Sequence, residues 1–125
     1  MIIGTGVDLV QVARIRKAIE KWNGRFLSRI YTPQEISYCK DKKQGFLHFA
    51  ARFAAKEAVR KALEERMDWK EVEIINGLLG NPKVNLRGNA RAVGRRQGAK
   101  KVFLSLSHDR NYAIAQAVVI SDESI

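Results

Sequence analysis

The chain has 125 residues, and 23 Lys+Arg against 13 Asp+Glu give it a formal net charge of +10. That length predicts one compact domain over residues 1–125, and the 46% hydrophobic and 29% charged fractions exclude a disordered chain. A single cysteine, Cys39, excludes an intrachain disulfide and a thiolate zinc cluster, and places the protein in a reducing, cytoplasmic setting.

Residues 2 to 7 read as a short strand carrying two glycines, Gly4 and Gly6, the residue type that permits a close backbone approach. Asp8 followed three residues later by Gln11 has the spacing of a helix-start capping box. Val12, Ile15, Ile19 and Trp22 then recur at helical intervals, predicting an amphipathic helix over 11–22 that Gly24 ends. Thr32-Pro33-Gln34-Glu35 is a stronger start signal, with Thr as cap, Pro at the first helical position and Glu at the third, and predicts a helix to about Asp41. The longest helix runs from about Phe46 to Met67, with Phe46, Phe49, Phe53 and Leu63 on its apolar stripe and Ala50, Ala54 and Ala58 for close packing. Beyond Asp68 the period changes. Val72 and Ile74 read as a strand, 76–81 as a turn with Gly77 and Gly80, Pro82 to Leu86 as a second strand, and Asn89 to Gln97 as a basic helix ending at Gly98. Val102, Leu104 and Leu106 alternate with polar or aromatic neighbours, 108–111 form a turn, and Tyr112 to Ile120 return as a hairpin. Helices first and an antiparallel sheet mostly later define an α+β fold, with the long helix packed on the sheet. The most apolar run, Tyr112 to Ile120, is too short to span a bilayer, and the start of the chain lacks the basic region of a secretory signal.

A surplus of +10 calls for an anionic partner: nucleic acid, a membrane surface, an acidic protein or a phosphorylated metabolite. Seven basic residues and no acid lie between Lys83 and Lys101. A second cluster, Arg14, Arg16, Lys17, Lys21 and Arg25, has only Glu20 as counter-charge. Arg52, Lys56 and Arg60 stand four apart and form one positive stripe, either solvated or covered by an anion. Glu57 lies four residues before Lys61, the spacing of an ordinary helix ion pair, and spacing alone favours that role. Asp8 serves equally as a helix cap or, with Glu57, as half of a divalent-cation site. Mg²⁺ suits such a pair because it takes one or two carboxylates and fills the remainder of its shell with water and phosphate oxygens. His108 sits at a strand end, where a structural role and a ligand contact are both open. Asn76, Gly77, Gly80 and Pro82 could shape a phosphate contact, though loops of this composition are routine. No Walker loop, dinucleotide fingerprint or activated nucleophile is legible.

The ordered set of segments resembles the holo-acyl-carrier-protein synthase family of small 4′-phosphopantetheinyl transferases. The matching residues are Ile3-Gly4-Thr5-Gly6-Val7-Asp8-Leu9-Val10, Arg14-Ile15, Phe26, Arg29-Ile30-Tyr31-Thr32 through Glu35, and Ala51-Arg52-Phe53-Ala54-Ala55-Lys56-Glu57-Ala58. Trp69, Val72-Glu73-Ile74, Gly80-Asn81-Pro82, Ser105-Leu106-Ser107-His108 and Tyr112-Ala113 complete them. Asn81 departs from the family's Gly-Lys-Pro, and Lys83 or another cation could take over that lysine's contact. The resemblance implies transfer of the phosphopantetheine arm of coenzyme A to a serine of an apo-acyl carrier protein, releasing adenosine 3′,5′-bisphosphate, in fatty acid biosynthesis. Asp8 and Glu57 would be Mg²⁺ ligands, with Lys61 beside them as a third catalytic residue. Arg52, Lys56, Lys61, Gly80, Pro82 and His108 would contact the coenzyme, His108 from a neighbouring subunit of a homotrimer whose sites lie between subunits. Glu57 or a water on the metal would take the serine proton. Acyl carrier proteins are acidic and helical, so Arg14, Lys17, Lys21 and Arg25 would form the docking face.

The competing reading is a basic nucleic-acid-binding module using Lys83 to Lys101. It rests on charge alone, since no helix-turn-helix, zinc-finger or RNA-recognition signature is present and no aromatic side chain interrupts that stretch. A membrane-surface role for the helix over 11–22 is weaker still.

Overall fold

The computed structural model describes residues 1–121. Five strands, β1 (Ile2–Gln11), β2 (Val72–Asn76), β3 (Pro82–Leu86), β4 (Lys101–His108) and β5 (Tyr112–Ile120), form two antiparallel sheets, a three-stranded one in the order β1-β5-β4 and a two-stranded β2-β3 ribbon. The helices are α1 (Val12–Trp22), α2 (Gly24–Ile30), α3 (Pro33–Lys40), α4 (Gly45–Leu63) and α5 (Gly88–Gln97), with a 3₁₀ turn at Trp69–Glu71. The α+β class expected from the sequence is the one observed.

The core lies between α4 and one face of the larger sheet. Ala54, Ala58 and Val59 on the helix, and Ala113, Ala117 and Val119 on β5, are fully buried. Small residues on both surfaces bring helix and sheet unusually close. A Cβ at Gly4 or Gly6 would collide with the backbone carbonyls of Ala62 and Ala58, so β1 can lie against α4 only where it has no side chain. The period-2 alternation of β5 leaves Tyr112 and Ile114 exposed on the opposite face, which no helix among the described residues covers.

The Thr32 start signal forms as expected: the Thr32 hydroxyl accepts the Glu35 amide and the Glu35 carboxylate accepts the Thr32 amide. The β2-β3 and β4-β5 hairpins, and α5 with Gly98 after it, also match the sequence reading. Three boundaries differ. Asp8 caps nothing, because β1 continues to Gln11 in register with β5, down to the Gln11–Tyr112 pair, and sheet pairing outweighs the local capping pattern. Gly24 does not end a helix but begins α2; Asn23, at φ 49°, makes the break, and asparagine is among the few residues that tolerate positive φ. Finally, α4 stops at Leu63, where Glu64 turns left-handed at φ 55°, rather than at Met67.

Candidate active site

Asp8 and Glu57, 49 positions apart in sequence by their numbers, open into one cleft of about 380 Å³. β1 supplies Asp8, α1 supplies Arg14, Ile15 and Ala18, α2 supplies Phe26, and α4 supplies Phe53 and Glu57. Burial pushes the Asp8 carboxyl above its ordinary 3.8; a hydrogen bond and charge from Lys61 oppose the rise, and the nearby Glu57 charge adds to it. Two carboxylates facing one cleft, at least one of them held in unfavourable surroundings for its charge, form a donor set that a hard cation relieves. Among the described residues no third His, Cys, Asp or Glu joins them. The set therefore fits Mg²⁺, which completes its shell with water and phosphate oxygens.

Lys61 Nζ donates to Asp8 Oδ1 at 3.1 Å and to the Val7 carbonyl at 3.0 Å, with the lysine side chain 55% exposed at the mouth of the site. The expected Glu57–Lys61 helix pair is absent. Glu57 Oε1 instead accepts from Arg60 Nη1 at 2.7 Å and from the Trp69 indole N–H, while no described residue donates to Oε2.

The expected positive stripe on α4 is not a surface feature. Lys56 is fully buried; its Nζ lies 2.8 Å from Glu35 Oε1 and donates to the Trp69 and Val72 carbonyls at 2.9 and 2.8 Å. Burial pulls its pKa below the ordinary lysine value, against the pull of Glu35. With all three ammonium protons engaged inside the core, Lys56 has none to offer a phosphate, which corrects its assignment as a ligand contact. Its role is to join α3, α4 and the 69–72 segment. Arg60 is likewise committed to Glu57.

Arg52 belongs to a second cluster on the other flank of α4. Five positions separate it from Glu57, roughly 140° around the helix. Its Nη2 donates to Asn76 Oδ1 at 2.6 Å and its guanidinium lies 4.0 Å from the Tyr38 ring centre, but its buried Nε has no partner among the described residues. Asn76 Nδ2 donates to the Tyr38 hydroxyl and to the Gly80 carbonyl, tying the β2-β3 turn, which Pro82 closes, to the same cluster. The His48 ring lies 5.9 Å from Tyr38 and 6.3 Å from His108. Burial lowers the His48 pKa, and Arg52, His108 and Lys42 add to the fall. Arg52 and Gly80, expected to meet the coenzyme beside a neighbouring subunit's His108, are thus linked to the His108 of their own chain through Tyr38, His48 and Asn76, which sequence reading missed. Nothing in the spacing of a tyrosine, a histidine and an asparagine on three elements signals their meeting. His108 does not share the Asp8–Glu57 cleft; it lines a separate pocket of about 740 Å³ between α1 and the start of α4.

Arg14, Lys17, Lys21 and Arg25 are all exposed along α1 and the start of α2, and Arg14 reaches the rim of the carboxylate cleft. The acid-free stretch from Lys83 to Lys101 does not form one basic face. It is divided among β3, α5 and β4, and Arg96 is neutralised by Glu65 at 2.6 Å while Arg87 lies 3.7 Å from Glu73.

The sequence matches the 4′-phosphopantetheinyl transferase superfamily over residues 4–117. It is 45% identical over 123 residues to the holo-[acyl-carrier-protein] synthase of Geotalea daltonii, covering 95% of this chain and 98% of that one. Among solved structures, the holo-[acyl-carrier-protein] synthase of Neisseria meningitidis superposes with a TM-score of 0.89 at 30% identity, covering 96% of this chain and 99% of that one. The Helicobacter pylori holo-[acyl-carrier-protein] synthase in complex with coenzyme A superposes with a TM-score of 0.82 at 32% identity, covering 93% and 99%.

Proposed function

The chain belongs to the 4′-phosphopantetheinyl transferase superfamily, and from that premise we propose that it moves the 4′-phosphopantetheine arm of coenzyme A onto a serine of an apo-acyl carrier protein. The products are the holo-carrier, used in fatty acid biosynthesis, and adenosine 3′,5′-bisphosphate. Relatives carrying the synthase name, one of them with coenzyme A bound, support the reaction class. The observation that carries the reading is the single cleft shared by Asp8, Glu57 and Arg14. That arrangement supports a cation site for pyrophosphate beside a basic helix for an acidic carrier. The nucleic-acid alternative has no support in these relatives, and its basic stretch is broken up by the fold.

In this reading Asp8 and Glu57 hold Mg²⁺. When bound, the ion supplies positive charge to the pyrophosphate oxygens as the phosphorus–oxygen bond to the leaving group lengthens. Lys61 holds Asp8 by its hydrogen bond and presents a second positive charge at the mouth of the cleft. Arg14, Lys17, Lys21 and Arg25 orient the carrier so that its serine enters beside Phe26 and Phe53.

The adenosine bisphosphate end meets Arg52, Gly80, Pro82 and His108. His108 lines a different pocket from Asp8 and Glu57, and Arg52 lies on another flank of α4 from Glu57. This separation supports a site completed by groups from two copies, assembled through the bare face of the larger sheet. A homotrimer with its sites between subunits satisfies both requirements.

The test is the intact mass of a folded apo-acyl carrier protein after incubation with this protein, coenzyme A and Mg²⁺, beside EDTA and enzyme-free controls. A metal-dependent gain of one phosphopantetheine group is expected. No gain on several folded carriers would overturn the assignment.

A further inference from the structure

We propose that Trp69 is a positioning residue for the metal site, its indole N–H fixing Glu57 so that one carboxylate oxygen is reserved for the cation. The inference rests on the reading of Glu57 as a Mg²⁺ ligand and goes beyond it. Glu57 is a flexible side chain on the flank of a helix, 23% exposed, and free rotation would leave its carboxylate spread over several directions. Both donors it meets, the Trp69 indole and Arg60 Nη1, converge on the same oxygen, Oε1. Oε2 is left without a donor among the described residues, and Glu57 opens into the Asp8 cleft.

Trp69 can do this because it is itself held on three sides. Its ring stacks on Phe53 with centroids 6.4 Å apart at 26°, the Arg60 guanidinium lies 4.7 Å over it, and its carbonyl accepts Lys56 Nζ at 2.9 Å. Lys56 is anchored by the buried Glu35. A chain of contacts thus runs from α3 through the core to the carboxylate. Such outer partners of a metal ligand set its orientation, and losing one costs roughly 10–100-fold in metal affinity.

The experiment titrates Mn²⁺ into the full-length protein, following the free Mn²⁺ signal by electron paramagnetic resonance. Coenzyme A is saturating and no carrier protein is present, so nothing turns over. Trp69→Phe keeps the ring stack and removes only the N–H. It is expected to weaken Mn²⁺ binding about 10-fold or more, with an unchanged melting temperature in the metal-free protein. In carrier assays the apparent KM for Mn²⁺ should rise while kcat at saturating Mn²⁺ stays near that of the unaltered protein, a split that general loosening of the fold would not give. If Trp69→Phe melts several degrees lower, the titration is repeated at a temperature where circular dichroism shows it fully folded, and the same loss of affinity is required of it there. Unchanged affinity in folded Trp69→Phe, with binding lost in Glu57→Gln, would overturn the positioning role and leave Glu57 a ligand. Unchanged affinity in Glu57→Gln would overturn both.

Discussion

Lys56 Nζ lies 2.8 Å from Glu35 Oε1 with neither side chain exposed, and the remaining capacity of both groups is spent on backbone. Glu35 also accepts the Thr32 and Ile74 amides, at 2.8 and 2.7 Å. One ion pair therefore fastens α3 and β2 to the central helix. Replacing Lys56 by alanine leaves a buried carboxylate without its cation and two carbonyls without their donor. The expected loss is about 3–5 kcal/mol in denaturant unfolding. A loss below about 1 kcal/mol would mean the pair is no structural tie.

Asp8 gives a prediction whose sign depends on metal. Its carboxyl is raised above 3.8 by burial, so the folded protein holds that proton more tightly than the unfolded chain does. Stability from this group is complete below pH 3.8 and falls as pH rises through the raised folded value, so at neutral pH ionised Asp8 is a cost. Asp8→Asn removes the charge and keeps an oxygen for Lys61. Without metal at pH 7 the variant should melt at the same temperature or higher, and that advantage should vanish below pH 3.8. Its turnover should fall by more than the roughly 100-fold that an outer partner costs. A variant that melts lower at pH 7 yet turns over normally would remove Asp8 from the site.

Most of the fold was legible because it follows local signals: the Thr32–Glu35 box, the helical period of α4, and the alternation of β4 and β5. Of the two roles open to Asp8, the cap is not formed, because its pairing with Ala115 depends on a strand more than 100 residues later by their numbers. The carboxylate pair could be nominated from residue type, but their meeting depends on how α4 crosses β1. Lys56 shows the opposite failure. Its spacing with Arg52 and Arg60 looks like a surface stripe, and only the fold reveals Glu35 waiting inside. The cluster of Tyr38, His48 and Asn76 left no local pattern at all.

Gly6, like Gly4, lies against the backbone of α4 with no room for a side chain. Gly6→Ala would drive a methyl group into the Ala58 carbonyl, and the obstacle is a helix backbone that cannot rotate away. The expected cost is about 1–3 kcal/mol or more. Because Asp8 lies two residues on and Glu57 is adjacent to Ala58, the displacement should also weaken Mn²⁺ binding. Gly24→Ala is the control: an added Cβ there meets nothing within 4 Å, and both stability and binding should be unchanged.

The basic face of α1 should act on encounter with the carrier rather than on chemistry. Arg14→Glu reverses a charge at the rim of the cleft without touching the core. The carrier KM should rise by at least about 10-fold, while the coenzyme A KM and the melting temperature change little. Raising ionic strength should weaken the unaltered protein toward the variant, since exposed charges are screened over about 10 Å at 0.1 M salt. An unchanged carrier KM in Arg14→Glu would remove α1 as the docking face.

The uncovered face of the larger sheet leads to a prediction about assembly. Leu9 is 61% exposed and pairs across the strands with Ile114, 40% exposed; Val7 and Phe103 are 54% and 48% exposed on the same face. Apolar side chains gathered on a sheet with no helix over them among the described residues suit an interface, and closed rings of identical subunits would satisfy such a patch. Sedimentation should show trimers for the unaltered protein and monomers with native circular dichroism for Leu9→Glu. A stronger test uses the different pockets that Glu57 and His108 line. Glu57→Gln and His108→Ala, each impaired alone, should recover activity when their subunits are exchanged, because random assortment pairs an intact carboxylate with an intact histidine at roughly a quarter of interfaces. Exchange without recovery would place both halves of the site on one chain and overturn the shared-site reading.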